Sequence, residues 1–385
     1  MHYTEKKISG IFTARKMSLA MAGLLLGTVC LLPRAGMAQV KGQCANCHTM
    51  HNSQDGAPMN SAFGTNTAAT VYRALTRGDC VGCHTGTTAT DLNLNNIPKV
   101  NHTVAPTAGT LAGGSFYWVG TGAVDADGHN VVGISSADAK LGLTPPGGTA
   151  LASQLTCAGT TGCHGDRTVA DQYASISGSH HAPPQNAGGV TGAVDGTTLA
   201  NSYRFLKGVE GIESADWELP TNLTAGNHNQ YYGVARTTDA TVTGTISSLC
   251  GQCHGAFHAA ATSSPSTGVG ISYANNMTSP WVRHPTDFDM NTVKAKEYGA
   301  YGGGVIGTGG GAYQPNTPVG SNSISGVKAT VLTAPGDAIV LCVSCHRAHG
   351  SDKPDMLRWD YTTMVTGGTV QNTTGCFACH TTKDT

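Results

Sequence analysis

The chain has 385 residues, of which 52 are glycine, 12% are charged and 6% are aromatic, and its formal charge is −1. That balance excludes the basic footprint of a nucleic-acid-binding protein, and so few large apolar side chains argue against two ordinary hydrophobic cores. Stretches such as "TGTTATDLNLNN" and "YGGGVIGTGGGAY" show no sustained apolar period of 3.6 or 2, so either they stay disordered or a group other than a side chain supplies an apolar interior.

Residues 1–38 combine basic residues (Lys6, Lys7, Arg15, Lys16), an apolar run from Met17 to Leu32, and small residues Gly36 and Ala38 before a cut. This pattern predicts a secretory signal cleaved after Ala38. The run is too short and poorly flanked for a membrane span, so the processed chain is expected to have none. Cys30 follows Val29 rather than the glycine or alanine that usually precedes a lipid-modified cysteine. A single domain is expected over 39–385.

The other twelve cysteines form six pairs. Five are C-x-x-C followed at once by histidine: Cys44/Cys47/His48, Cys80/Cys83/His84, Cys250/Cys253/His254, Cys342/Cys345/His346 and Cys376/Cys379/His380. The remaining pair, "CAGTTGCH", keeps the ending with a five-residue gap: Cys157, Cys163, His164. Disulfides explain an even count but not the histidines, since with histidine at about 4% of residues five coincidences in five arise on the order of once in ten million. Zinc accepts paired C-x-x-C but does not require histidine at a constant offset. Covalent c-type haem attachment requires both: two thiols form thioethers and the next histidine ligates the iron.

Six haems would provide the missing apolar interior, giving mostly irregular coil with short helices at the motifs and little sheet. The glycine runs 302–304 and 309–311 lack the ending of a phosphate loop and read as flexible surface loop.

Beyond the expected signal, which holds His2, nine histidines remain for the second axial positions. His51 and His349 lie three residues after a proximal histidine and His258 lies four after, so each can reach a neighbouring haem but not its own motif's. His102, His129 and His284 sit in polar loops and are expected ligands. One of His180 and His181 is expected to ligate, and His228 is expected to face solvent. Methionine is the rival ligand (Met50, Met59, Met277, Met290, Met356, Met364), but histidines exceed the demand. With both axial positions filled by histidine, electron transfer is expected rather than catalysis.

The segments "CANCHTMHNSQ", "MNSA" (59–62), "GGSFYWV", "GHNVVG", "VRHP", "CVSCHRAHGS" and "CFACH" resemble the outer-surface hexahaem cytochromes of metal-reducing bacteria of the OmcS type. The resemblance implies a stacked haem chain alternating parallel and perpendicular pairs, and head-to-tail polymerisation into a filament. It implies that His51 ligates a haem of the adjacent subunit, and that other cytochromes and extracellular acceptors such as metal oxides are partners. Location is then extracellular or on the outer surface, with the periplasm as the alternative. First cysteines are spaced 36, 77, 93, 92 and 34 apart, and tight pairs near both ends suit end-to-end joining. The third motif departs from the pattern by lacking a histidine three residues after His164, so His180 or His181 is expected to take that role.

Overall fold

The computed structural model describes residues 42–54, 57–58, 71–86, 97–107, 109–182, 192–236, 242–258, 284–366 and 374–382. The expected signal at 1–38, "MNSA" (59–62) and Met277 lie outside them.

The chain is mostly irregular, as the composition predicts. Among the described residues the longest α-helices, Cys80–His84 and Ile246–Cys250, have five residues each. Sequences this rich in Gly, Thr and Ser do not propagate a helix once its nucleus has formed. What nucleates these turns is local capping. Asp79 accepts from the Gly82 N–H at 2.6 Å, and Thr245 Oγ1 accepts from the Ser248 N–H at 3.0 Å.

The regular motifs fold into single turns. In four of them the histidine N–H bonds the first cysteine's carbonyl, from His48 to Cys44 (2.8 Å), His254 to Cys250 (2.9 Å), His346 to Cys342 (3.1 Å) and His380 to Cys376 (2.9 Å). Such a turn puts residues i and i+3 on one face, bringing both thiols to the same side. The third motif is not helical. Thr156–Ala158 and Gly162–His164 pair as short parallel strands, with Thr156 opposite Gly162 and Ala158 opposite His164. Three extra residues cannot fit one helical turn, and they close a loop so tight that a Cβ on Gly162 would lie 2.5 Å from the Ala158 nitrogen.

Sheet is confined to small patches. The three-stranded one is antiparallel, Ala193–Val194 beside Gly211–Ile212 beside Gln230–Tyr231. Side chains supply more core than the composition suggests. Tyr203, Leu206, Tyr231, Ile246, Ile339 and Leu341 belong to one buried cluster. Met290, Tyr301, Tyr313, Val331 and Leu332 belong to a second, and Phe116, Val119 and Val131 form a third. Met290 is thus core, fully buried.

Two loop expectations are corrected. The glycine runs are not loose, because a Cβ on Gly311 would collide with the Tyr301 carbonyl and one on Gly302 with the Ala312 carbonyl. Glycine is required there for close backbone approach, around a buried Tyr301 whose hydroxyl donates to the Thr317 carbonyl at 2.8 Å. His228, expected at the surface, is 1% exposed and stacks on Tyr313 with ring centroids 3.5 Å apart. Its Nδ1 bonds the Asn229 carbonyl at 2.7 Å, which makes burial of a polar ring affordable.

Candidate functional site

All six motif histidines are oriented alike. Nδ1 bonds a fixed acceptor: Ala74 O for His48 (2.9 Å), Pro98 O for His84 (2.9 Å), Arg204 O for His164 (2.9 Å), Pro146 O for His254 (2.8 Å) and Asp355 O for His346 (2.8 Å). For His380 the acceptor is a carboxylate oxygen, Glu297 Oε1 at 3.2 Å. An acceptor at Nδ1 fixes the proton there, so Nε2 carries the lone pair that a metal requires. Burial also disfavours the cation at His84, His164, His254 and His346, keeping these rings in the neutral, ligating form.

These acceptors went unseen in the sequence. Three come from tight turns with two successive left-handed residues: Ala74 and Leu75 (φ 57° and 57°), Arg204 and Phe205 (48° and 59°), Asp355 and Met356 (59° and 58°). In each, the first residue's carbonyl takes the histidine Nδ1–H. The second's takes the N–H of the residue after the histidine, namely Thr49 to Leu75, Gly165 to Phe205 and Arg347 to Met356, all at 2.8 Å. Left-handed non-glycine residues cost about 1–3 kcal/mol each and cluster where function demands them. A fourth acceptor sits in "PPGG": Pro146 occupies a turn closed by Gly148 N to Pro145 O at 3.0 Å, with Gly147 at φ 66°, the signature of a type II turn.

Four distal candidates face a motif histidine. Ring centroids are 5.9 Å apart for His48 and His181, 6.1 Å for His254 and His129, 6.3 Å for His164 and His349, and 6.3 Å for His380 and His284. Two imidazoles on opposite sides of one metal ion stand roughly 6 Å apart, from two metal–nitrogen bonds of about 2 Å and the two half-rings. The geometry therefore fits an iron between each pair. His129 is steered by its Nδ1 on the Ala348 carbonyl at 2.7 Å, and His349 by the Phe116 ring at 4.7 Å. Burial pushes His129 down to about 4 and His349 down to about 3.

The rest differ. His180 lies near enough to His84 for their charges to interact, with burial the main cause of its pKa falling to about 4. His51 is exposed. Among the described residues no histidine ring stands at such a distance from His346. His102, expected in a polar loop, is fully buried, with Nδ1 on Ser115 Oγ at 2.8 Å. His258 directs Nε2 at Asp287 Oδ2 at 2.7 Å, beside Arg236. The ring that faces His164 is His349, while His181 faces His48.

The cysteines join the motifs in sequence order. Second cysteines are electrostatic neighbours between motifs one and two (Cys47, Cys83), three and four (Cys163, Cys253), and five and six (Cys345, Cys379). First cysteines touch between two and three, where Cys80 bonds Cys157, and between four and five, where Cys250 bonds Cys342. Cys163 also neighbours Cys250, and Cys345 neighbours Cys376, so successive motifs approach one another along the whole line. None of these twelve thiols is in a disulfide, and among the described residues no three His, Cys, Asp or Glu side chains converge as a metal-ion cage.

Residues 335–385 match the doubled CXXCH motif family. The C-type cytochrome OmcS of Geobacter sulfurreducens is 28% identical over 397 aligned positions, covering 91% of this chain and 86% of that protein. The chain is thus similar to a c-type cytochrome along nearly its whole length. Among solved structures, the Outer Membrane Cytochrome S filament from Geobacter sulfurreducens aligns with a TM-score of 0.45 at 22% identity, covering 90% of this chain and 92% of that one. OmcS nanowires from the same organism align with a TM-score of 0.41 at 25% identity, over 83% and 84% of the two chains.

Proposed function

We propose that this OmcS-like chain binds six c-type haems and conducts electrons along them outside the cell, as a unit of a head-to-tail filament. The observation that carries the reading is the set of four histidine pairs at 5.9–6.3 Å, each joining a motif histidine to one from elsewhere in the chain. Each haem, when bound, supplies one-electron ferric/ferrous chemistry. The protein's part is to hold it by two thioethers, fix its proximal imidazole through Nδ1, and close its far side with a second imidazole.

The two unpaired motif histidines complete the scheme. His180 serves His84, on whose charge it already acts. His346 takes His51 from a second copy. His51 is exposed beside Met50 (79% exposed), Val71 (75%) and Leu75 (52%), an apolar patch around an imidazole at the first-motif end. A contact between unlike ends propagates without closing, which yields a filament. His258 instead directs Nε2 at Asp287, while His102 bonds Ser115 through Nδ1, as the motif histidines bond their acceptors, and is a further candidate ligand. With both axial sides filled by histidine there is no coordination position for substrate, so the chain is an electron carrier and not an enzyme. Other cytochromes upstream and extracellular acceptors such as metal oxides are its proposed partners, at the outer surface.

The cysteine neighbours between successive motifs support a single line through motifs one to six. The test is His51→Ala. The variant should retain six covalent haems by intact mass and fail to form filaments under cryo-electron microscopy. Normal filaments from His51→Ala would refute the ligation across copies, and fewer than six haems in the wild type would refute the scheme itself.

A further inference from the structure

One motif histidine is held differently from the other five. His48, His84, His164, His254 and His346 give their Nδ1 proton to neutral backbone carbonyls, whereas His380 meets Glu297 Oε1 at 3.2 Å. The carboxylate is built in. Thr382 Oγ1 donates to its other oxygen at 2.9 Å, Thr381 Oγ1 donates to the Glu297 backbone carbonyl at 2.5 Å, and the side chain is only 13% exposed. The Tyr298 ring stands edge-on to the His380 ring at 5.2 Å.

A carboxylate behind a ligating histidine raises the basicity of that ligand. A more basic ligand and a nearby negative charge both favour the ferric over the ferrous state, and hydrogen bonding behind the ligand is a recognised lever on haem potential. We propose that Glu297 is a positioning residue that lowers the reduction potential of the sixth-motif haem, setting the site at one end of the line apart from the five whose histidines rest on carbonyls. This rests on the haem-binding reading above. Reduction here adds one electron to the iron with no bond made or broken, so the effect is on the equilibrium alone. Every tenfold gain in preference for the ferric state corresponds to about 59 mV.

The experiment is a spectroelectrochemical titration of the full chain carrying Glu297→Gln, which keeps a hydrogen-bond acceptor and removes the charge. Six haems should remain, about one sixth of the absorbance change should move to more positive potential, and the rest should overlay the wild type. Superimposable titrations, or an equal displacement of all six, would overturn the proposal. Near-infrared magnetic circular dichroism of the wild-type ferric protein gives a check independent of the variant's folding. About one sixth of the charge-transfer intensity should lie at higher energy, as an imidazolate-like ligand requires, and a single uniform band would overturn the proposal. A haem count below six in the wild type would instead refute the underlying reading.

Discussion

Gly148 connects a backbone contact to a metal ligand. A methyl placed there would overlap the Cys253 carbonyl oxygen and stand 2.9 Å from Pro145 Cγ and 3.1 Å from the Cys253 carbonyl carbon. Neither obstacle can swing away as a flexible side chain would, so the turn at 145–148 must move, carrying the Pro146 carbonyl from its 2.8 Å bond with His254 Nδ1. Overpacking costs about 1–3 kcal/mol and the lost hydrogen bond about 1 kcal/mol, while alanine's stiffer unfolded chain returns about 0.4–1 kcal/mol. Gly148→Ala should therefore destabilise the protein by about 2–3 kcal/mol, lowering the urea midpoint by on the order of 1 M. Its covalent haem count should stay at six, because Cys250 and Cys253 are untouched, but one haem should show a weakened low-spin spectrum. Gly226→Ala is the control, since a Cβ there meets nothing within 4 Å. If the two variants have the same midpoint and spectrum, the coupling between the turn and His254 is wrong.

Removing the ring that faces His164 at 6.3 Å, by His349→Ala, should leave one haem of six five-coordinate and able to bind carbon monoxide when reduced. His258→Ala should keep all six low-spin, because that ring's Nε2 is engaged by Asp287, and absorption and paramagnetic resonance spectra separate the two cases. Asp337 gives a pH prediction. Burial pushes its carboxyl up, but hydrogen bonds from Thr333, Asn291 and the backbone of Leu332, Thr333 and Ala334 outweigh that and hold it below its usual 3.8. A depressed native value means the stabilisation is complete above about pH 4 and is lost as pH falls through the native value. Wild-type stability should thus decline below about pH 4, and Asp337→Asn, less stable at neutral pH by about 1.5–3 kcal/mol, should show a flatter decline in acid unfolding.

Much of the site was legible in the sequence because covalent attachment is a local requirement. Two thiols and an imidazole must lie within a few consecutive residues, so each of the motifs announces itself, down to the irregular one at 157–164. The coil-rich fold was legible for a similar reason, since Gly, Thr and Ser leave helices nothing to propagate. Sequence spacing also led to the expectation that His349 serves a motif other than its own, and its ring faces His164.

Which motif it serves was a question only tertiary structure decided. His349 meets His164 across 185 positions and His129 meets His254 across 125, distances at which neither charge nor period leaves a trace in one sequence. The turns holding the proximal rings were hidden more thoroughly. Successive left-handed residues normally show as Asn-Gly or Gly-Gly, but here they are Ala74-Leu75, Arg204-Phe205 and Asp355-Met356, conformations those residues do not favour on their own. They are held because each turn's two carbonyls bond the ring and the following N–H of a distant motif. The sequence by itself determined where haem attaches, since that chemistry lies within five to eight consecutive residues. The tertiary structure decided which imidazoles face one another, what orients them, and why one rests on a carboxylate, since each of those depends on atoms brought together only when the chain folds.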